Sequence, residues 1–92
     1  MNLGLVNEIT KDQMKQLDIT YGLEVVELYD GKMKAAGMPN NFIIQTANDQ
    51  EMKTVDDLER VVKETCNSED PVLIIRGRLP KGKRGIFVID LR

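Results

Sequence analysis

The chain has 92 residues, 41% hydrophobic and 30% charged; this suits one domain with a single modest core, and no run approaches the about 20 consecutive apolar residues a membrane-spanning helix needs. It contains no histidine and one cysteine, which excludes a Ser-His-Asp or Cys-His hydrolase, a histidine-ligated metal and an internal disulfide. A net charge of -2 argues against a general nucleic-acid binder, whose affinity comes from neutralising phosphates. Patterned sequence starts directly after Met1-Asn2, with no basic or apolar leader, so residues 1–92 read as one domain to which Met1-Asn2 is appended.

Leu3 to Ile9 is a short apolar stretch with partial alternation and predicts an opening strand. Thr10 and Gln13 have capping-box spacing, so Lys11 to Leu17 is expected to form about two helical turns with Met14 and Leu17 facing inward. After Asp18 to Gly22, the β-branched segment Leu23 to Leu28 predicts a strand. Asp30-Gly31 marks a turn, and Lys32 to Gly37 reads as a short helix ended by a left-handed glycine. Phe42 to Asn48 predicts a further strand, and Asn48-Asp49-Gln50 a tight turn with a brief return through Met52. Thr54 and Asp57 repeat the capping-box spacing ahead of the longest helix, which ends near Cys66 with Val55, Leu58, Val61, Val62 and Thr65 as its inner stripe. Val72 to Arg76 and Gly85 to Leu91 then form a hairpin around Pro80-Lys81-Gly82.

Charge is uneven along this order. Glu51 to Asp70 is mostly acidic, whereas Arg76, Arg78, Lys81, Lys83, Arg84 and Arg92 face Asp90 alone in the last stretch. A solvated hairpin beside a solvated helix accounts for this, and a basic patch is the functional alternative. Cys66 reads as a small residue at a helix end, and the five methionines as gap fillers.

The element order makes an α+β fold: a partly open five- to six-stranded barrel or sandwich capped by two helices. It resembles a PDZ domain of the bacterial Deg/HtrA serine proteases over roughly residues 3 to 92, and its ending after the last hairpin strand resembles the second, C-terminal PDZ domain of such a protease. The matching residues are Tyr21-Gly22-Leu23 for the carboxylate loop, Lys34-Ala35-Ala36-Gly37-Met38 for the helix end, Phe42-Ile43-Ile44 for the next strand, Asn48-Asp49-Gln50 for a turn, and Thr54-Val55-Asp56-Asp57-Leu58 for the start of the groove helix. Pro39-Asn40-Asn41 departs from the family's Gly-Asp, and asparagine tolerates the left-handed region that glycine serves.

The resemblance implies a non-catalytic module that captures hydrophobic C-termini and feeds or regulates a protease domain in a periplasmic setting. Its partners would be hydrophobic C-terminal or extended peptides, the protease domain and neighbouring PDZ domains, with no cofactor, metal, nucleic acid or membrane insertion. The expected site pairs the backbone amides of Tyr21, Gly22 and Leu23, converging on a carboxylate, with a strand including Glu24 and Val25 to which the peptide adds. Across from them, Val55, Glu59 and Val62 recur at helical spacing and would face the groove. The alternative is a module that docks or oligomerises through the apolar strand Gly85 to Leu91 and its basic hairpin without binding free peptide.

Overall fold

The computed structural model describes residues 4–92, so Met1, Asn2 and Leu3 of the expected first strand lie outside the described residues. In chain order the elements are β1 (Gly4–Glu8), α1 (Lys11–Leu17), β2 (Leu23–Leu28), α2 (Lys32–Ala35), β3 (Ile43–Ala47), β4 (Gln50–Glu51), α3 (Val55–Cys66), β5 (Val72–Arg78) and β6 (Arg84–Asp90). The strands form one six-stranded antiparallel sheet in the order β1-β2-β3-β5-β6, with the short β4 pairing on β3. β1 and β6 do not pair with each other among the described residues, so the sheet stays open at both ends.

Local chemistry explains where the helices start. Thr10 Oγ1 accepts from the Gln13 amide at 3.2 Å while Gln13 Oε1 accepts from the Thr10 amide at 2.8 Å, which satisfies two of the donors a helix N-terminus leaves free. The same box opens α3 through Thr54 and Asp57, where the Asp57 carboxylate accepts from the amides of both Lys53 and Thr54. α2 is a single turn that stops at Gly37, whose φ of 91° is the left-handed geometry that favours glycine.

The core lies between the sheet and α3. Phe42, Leu23, Ile44, Met52, Leu73, Ile75 and Ile89 are fully buried, and α3 contributes Leu58, Val61, Val62 and Thr65. Phe42 meets Phe87 edge-on, with ring centroids 5.0 Å apart and planes at 86°, an arrangement that contributes about 1 kcal/mol beyond its buried area. The expected inward face of α1 is only half buried, since neither Met14 nor Leu17 is fully covered.

Two asparagines tie elements together. Asn48 occupies the first position of the β3–β4 turn with φ 49°, followed by Asp49 at 64°, the paired left-handed geometry of a two-residue hairpin loop. Its Oδ1 accepts from the Ile74 amide at 2.8 Å, and its Nδ2 donates to Thr65 Oγ1 at 2.9 Å. One side chain thus fastens α3 and β5 to the sheet's central hairpin. Asn40 Oδ1 accepts from the Leu28 amide at 3.0 Å, and Asn41 takes up φ 68°, so the Pro39-Asn40-Asn41 segment supplies the left-handed turn ahead of β3.

Candidate functional site

α3 packs on β5 and also reaches β1, the strand at one end of the sheet. Between β1 and α3 runs a groove of about 690 Å³. Val6 from the strand and Leu58 and Val62 from the helix give it an apolar lining, Leu5 and Val55 flank this, and Glu59 and Lys63 place opposite charges along it. Strand alternation accounts for the β1 side, where Leu5 is 48% exposed while its neighbours Gly4 and Val6 are half covered. Helical spacing accounts for the other side, because Val55, Glu59 and Val62 are separated by 4 and 3 residues and share a face.

Among the described residues β1 pairs only with β2, which leaves the N–H and C=O groups of its second edge free beside the groove. Its start is built on Gly4, whose φ is 135°. A Cβ there would overlap the Glu27 carbonyl oxygen on β2, so only glycine lets β1 approach β2 this closely. Between Leu5 and Val6 the register slips by a bulge, which re-aims the strand beside the groove.

The helix half of the expected site is in this groove, and the strand half is not. Val55, Glu59 and Val62 line it. The expectation that peptide adds to the strand from Leu23 to Glu27 is overturned by topology: β2 lies between β1 and β3 and has no free edge. Leu23 pairs with Glu8 on one side and Ile44 on the other, and the Val25 amide donates to the Phe42 carbonyl at 2.9 Å. The side chains of Leu23 and Val25 are wholly buried. Glu24 is engaged within the fold, accepting from Gln13 Nε2 at 3.0 Å and Asn41 Nδ2 at 3.1 Å, which fixes α1 and the β3 approach onto β2.

Tyr21 and Gly22 line a separate cavity of about 390 Å³ beside Glu8, Glu51 and Lys53. The carboxylates of Glu8 and Glu51 in that lining disfavour a further anion. Partial burial and then the neighbouring Glu51 carboxylate hold the Tyr21 phenol above its ordinary range, and the Lys53 ammonium sits 5.9 Å from the ring centroid. Gly22 has no left-handed φ, and its carbonyl accepts from the Ile9 amide at 3.2 Å. The glycine that stands at the start of the free edge strand, with a positive φ and a close backbone approach, is Gly4. The signal was present in sequence, since Leu3-Gly4-Leu5 is also a hydrophobic-Gly-hydrophobic triplet ahead of a strand-forming run.

An open six-stranded antiparallel sheet with a capped helix laid from β5 to a free edge strand is a PDZ-like α+β fold. Among solved structures, an HtrA-type protease AlgW with a decapeptide is similar to this chain, with a TM-score of 0.70 and 20% sequence identity over 96% of this chain and 27% of that one. This chain therefore spans only part of that protein's length. No protein-family model matches the chain, and no curated protein matches it in sequence.

Proposed function

We propose that this domain is a peptide-recognition module that takes an extended hydrophobic C-terminal segment into the groove between β1 and α3. The observation that carries the reading is the free edge of β1 facing the apolar stripe of α3. An added strand gains main-chain hydrogen bonds along β1, alternate side chains enter between Leu58 and Val62, and the terminal carboxylate comes to rest at the start of the strand about Gly4. The similar HtrA-type protease was solved with a decapeptide, which supports this assignment.

The parent protein on this reading is an HtrA-type serine protease in which the domain recognises substrate and feeds or regulates a separate catalytic domain. The chain has no histidine to activate Ser68 or Cys66, so catalysis belongs elsewhere. A periplasmic setting and the place of second PDZ domain go with the same reading, and the sequence resemblance supports them.

Titration with an apolar peptide, as free acid and as C-terminal amide, tests the proposal. The acid is expected to bind about 5- to 30-fold more tightly, because amidation replaces charge-assisted hydrogen bonds with neutral ones differing by about 1–2 kcal/mol. Amide shifts should centre on Gly4 to Glu8 and on the Val55 to Val62 face. Equal affinity of the two forms, or shifts confined to Tyr21 to Val25, refutes it.

A further inference from the structure

A second cleft, of about 530 Å³, lies over β3, β5 and β6, away from β1 in strand order. The register explains its composition. Ile75 pairs with Phe87, and Gly77 with Gly85, on the core side of the hairpin. The opposite face therefore carries Thr46, Arg76 and Ile86 in one row and Arg78 directly across from Arg84 in the next.

This arrangement is unfavourable as it stands. Like charges directly opposed across two strands destabilise the pair. Arg76 is relieved by Asp49 at 2.9 Å, but neither Arg78 nor Arg84 has a carboxylate within 4.0 Å among the described residues. Arg78 donates one Nη to the Gly82 carbonyl at 3.1 Å, while its Nε and the Thr46 hydroxyl are buried without a hydrogen-bond partner. Both residues line the cleft. Buried polar groups are ordinarily satisfied, so two orphaned ones beside an uncompensated arginine pair describe a site shaped for an oxyanion.

The surroundings say what carries that anion. Ile86 and Val88 are 55% and 60% exposed on β6, the edge strand at this end of the sheet. Arg84, Ile86 and Val88 are successive outward positions, about 6.6–6.8 Å apart, and an extended peptide repeats its side chains at the same interval. A small anion would neutralise the arginines and leave both apolar side chains in water. We propose that this cleft is a second binding site, which takes an extended protein segment with an acidic residue against Arg78 and Arg84 and apolar residues two and four positions along against Ile86 and Val88. It uses no residue of the β1–α3 groove and stands whether or not the groove takes peptide.

The test is a titration of the isotope-labelled domain with the capped peptide acetyl-Ser-Glu-Thr-Ile-Thr-Val-Ser-amide, with its Glu-to-Gln analogue and with inorganic phosphate, all at one ionic strength. The acidic peptide is expected to move the amides of Thr46, Gly77, Arg78, Gly85 and Ile86, and the Gln analogue to bind at least about tenfold more weakly. Arg84→Gln, at an exposed position, should cost a similar factor, while Lys34→Gln, which removes the same charge from α2, should leave the titration unchanged. Equal binding of the Gln analogue, equal shifts with phosphate, no loss with Arg84→Gln, or no shift at millimolar peptide would each overturn the proposal.

Discussion

β1 and β2 begin alike and end with different roles. Each starts within a hydrophobic-Gly-hydrophobic triplet, Leu3-Gly4-Leu5 and Tyr21-Gly22-Leu23, and the two strands pair with each other. β2, with the more apolar run, is drawn into the middle of the sheet, where both edges are consumed and Leu23 and Val25 are buried. β1, interrupted by Asn7 and Glu8, remains at the margin with one edge free beside α3. The pattern that builds the better strand is therefore the wrong guide to the strand that can accept another, because strand addition needs an unspent edge.

The sharpest way to break this comparison is to substitute the two glycines. At Gly4 a side chain meets both a left-handed φ of 135° and the Glu27 carbonyl oxygen, so Gly4→Val is expected to cost about 2–4 kcal/mol in urea unfolding and to abolish peptide binding. At Gly22 the added atom meets Ile43 Cγ2 at 2.7 Å, the branch methyl of a buried, stiff side chain but not backbone, so Gly22→Ala should cost about 1–3 kcal/mol with the affinity of the folded protein retained. A Gly22→Ala variant that stays folded but loses peptide, beside a Gly4→Val variant that keeps it, would reverse the assignment.

A smaller effect is expected from the side chain that sets the helix wall. Asn48→Ala removes the bonds to the Ile74 amide and Thr65 Oγ1, and should cost about 2 kcal/mol. Since α3 is then held to β5 by apolar packing alone, peptide affinity should fall with stability. Retained affinity in a destabilised variant would show that the groove does not depend on this tie.

Much of the architecture was legible because local chemistry and tertiary structure agree in it. Both capping boxes, the Gly37 stop and the Asn48-Asp49 turn are short-range signals, and each lies where the residues predict. The helix face of Val55, Glu59 and Val62 follows from periodicity alone. Which strand lies at the margin does not, since that depends on pairing between segments far apart in the chain, and the Tyr21-Gly22-Leu23 triplet satisfies every local condition for a carboxylate loop. The buried partners of Asn48 are hidden for the same reason: nothing near it in sequence announces Thr65 or Ile74. Like-charge pairing of Arg78 with Arg84 likewise appears only once the hairpin register is known.

A further, pH-dependent effect distinguishes the α3 wall from the β2 interior, because only the former is anchored by a titrating cap. Hydrogen bonding, first from the Thr54 backbone amide, with smaller help from Arg60, holds the Asp57 carboxyl below its ordinary range. A carboxyl lowered on folding stabilises the domain above the unfolded-state value of about 4, and that contribution is lost as pH falls through the folded-state value. Urea midpoints measured from pH 5 down to pH 3 should therefore decline less steeply in Asp57→Asn than in the parent. Identical slopes would mean that the cap bonds do not favour the ionised form.

The smallest effect concerns charge along the groove. Glu59 and Lys63 lie one turn apart on α3, both exposed and both lining the groove, and neither forms an ion pair among the described residues. A peptide lying along β1 passes both, so its side chain two positions before the C-terminus is expected to prefer Lys or Arg when it faces Glu59. Solvent screening limits such a pair to at most about 1 kcal/mol, a factor of about five in affinity. Glu59→Gln should remove the preference, and raising salt from 0.05 to 0.5 M should shrink it in the parent, since the screening length falls well below about 10 Å over that range. Lys63→Gln should strengthen the preference for basic residues, because it removes the competing cation. The comparison with β2 makes the measurement specific: Glu24 is tied to Gln13 and Asn41, and Glu24→Gln should leave the selectivity at this position unchanged. Selectivity that follows Glu24 instead of Glu59 would place the bound peptide against β2 after all.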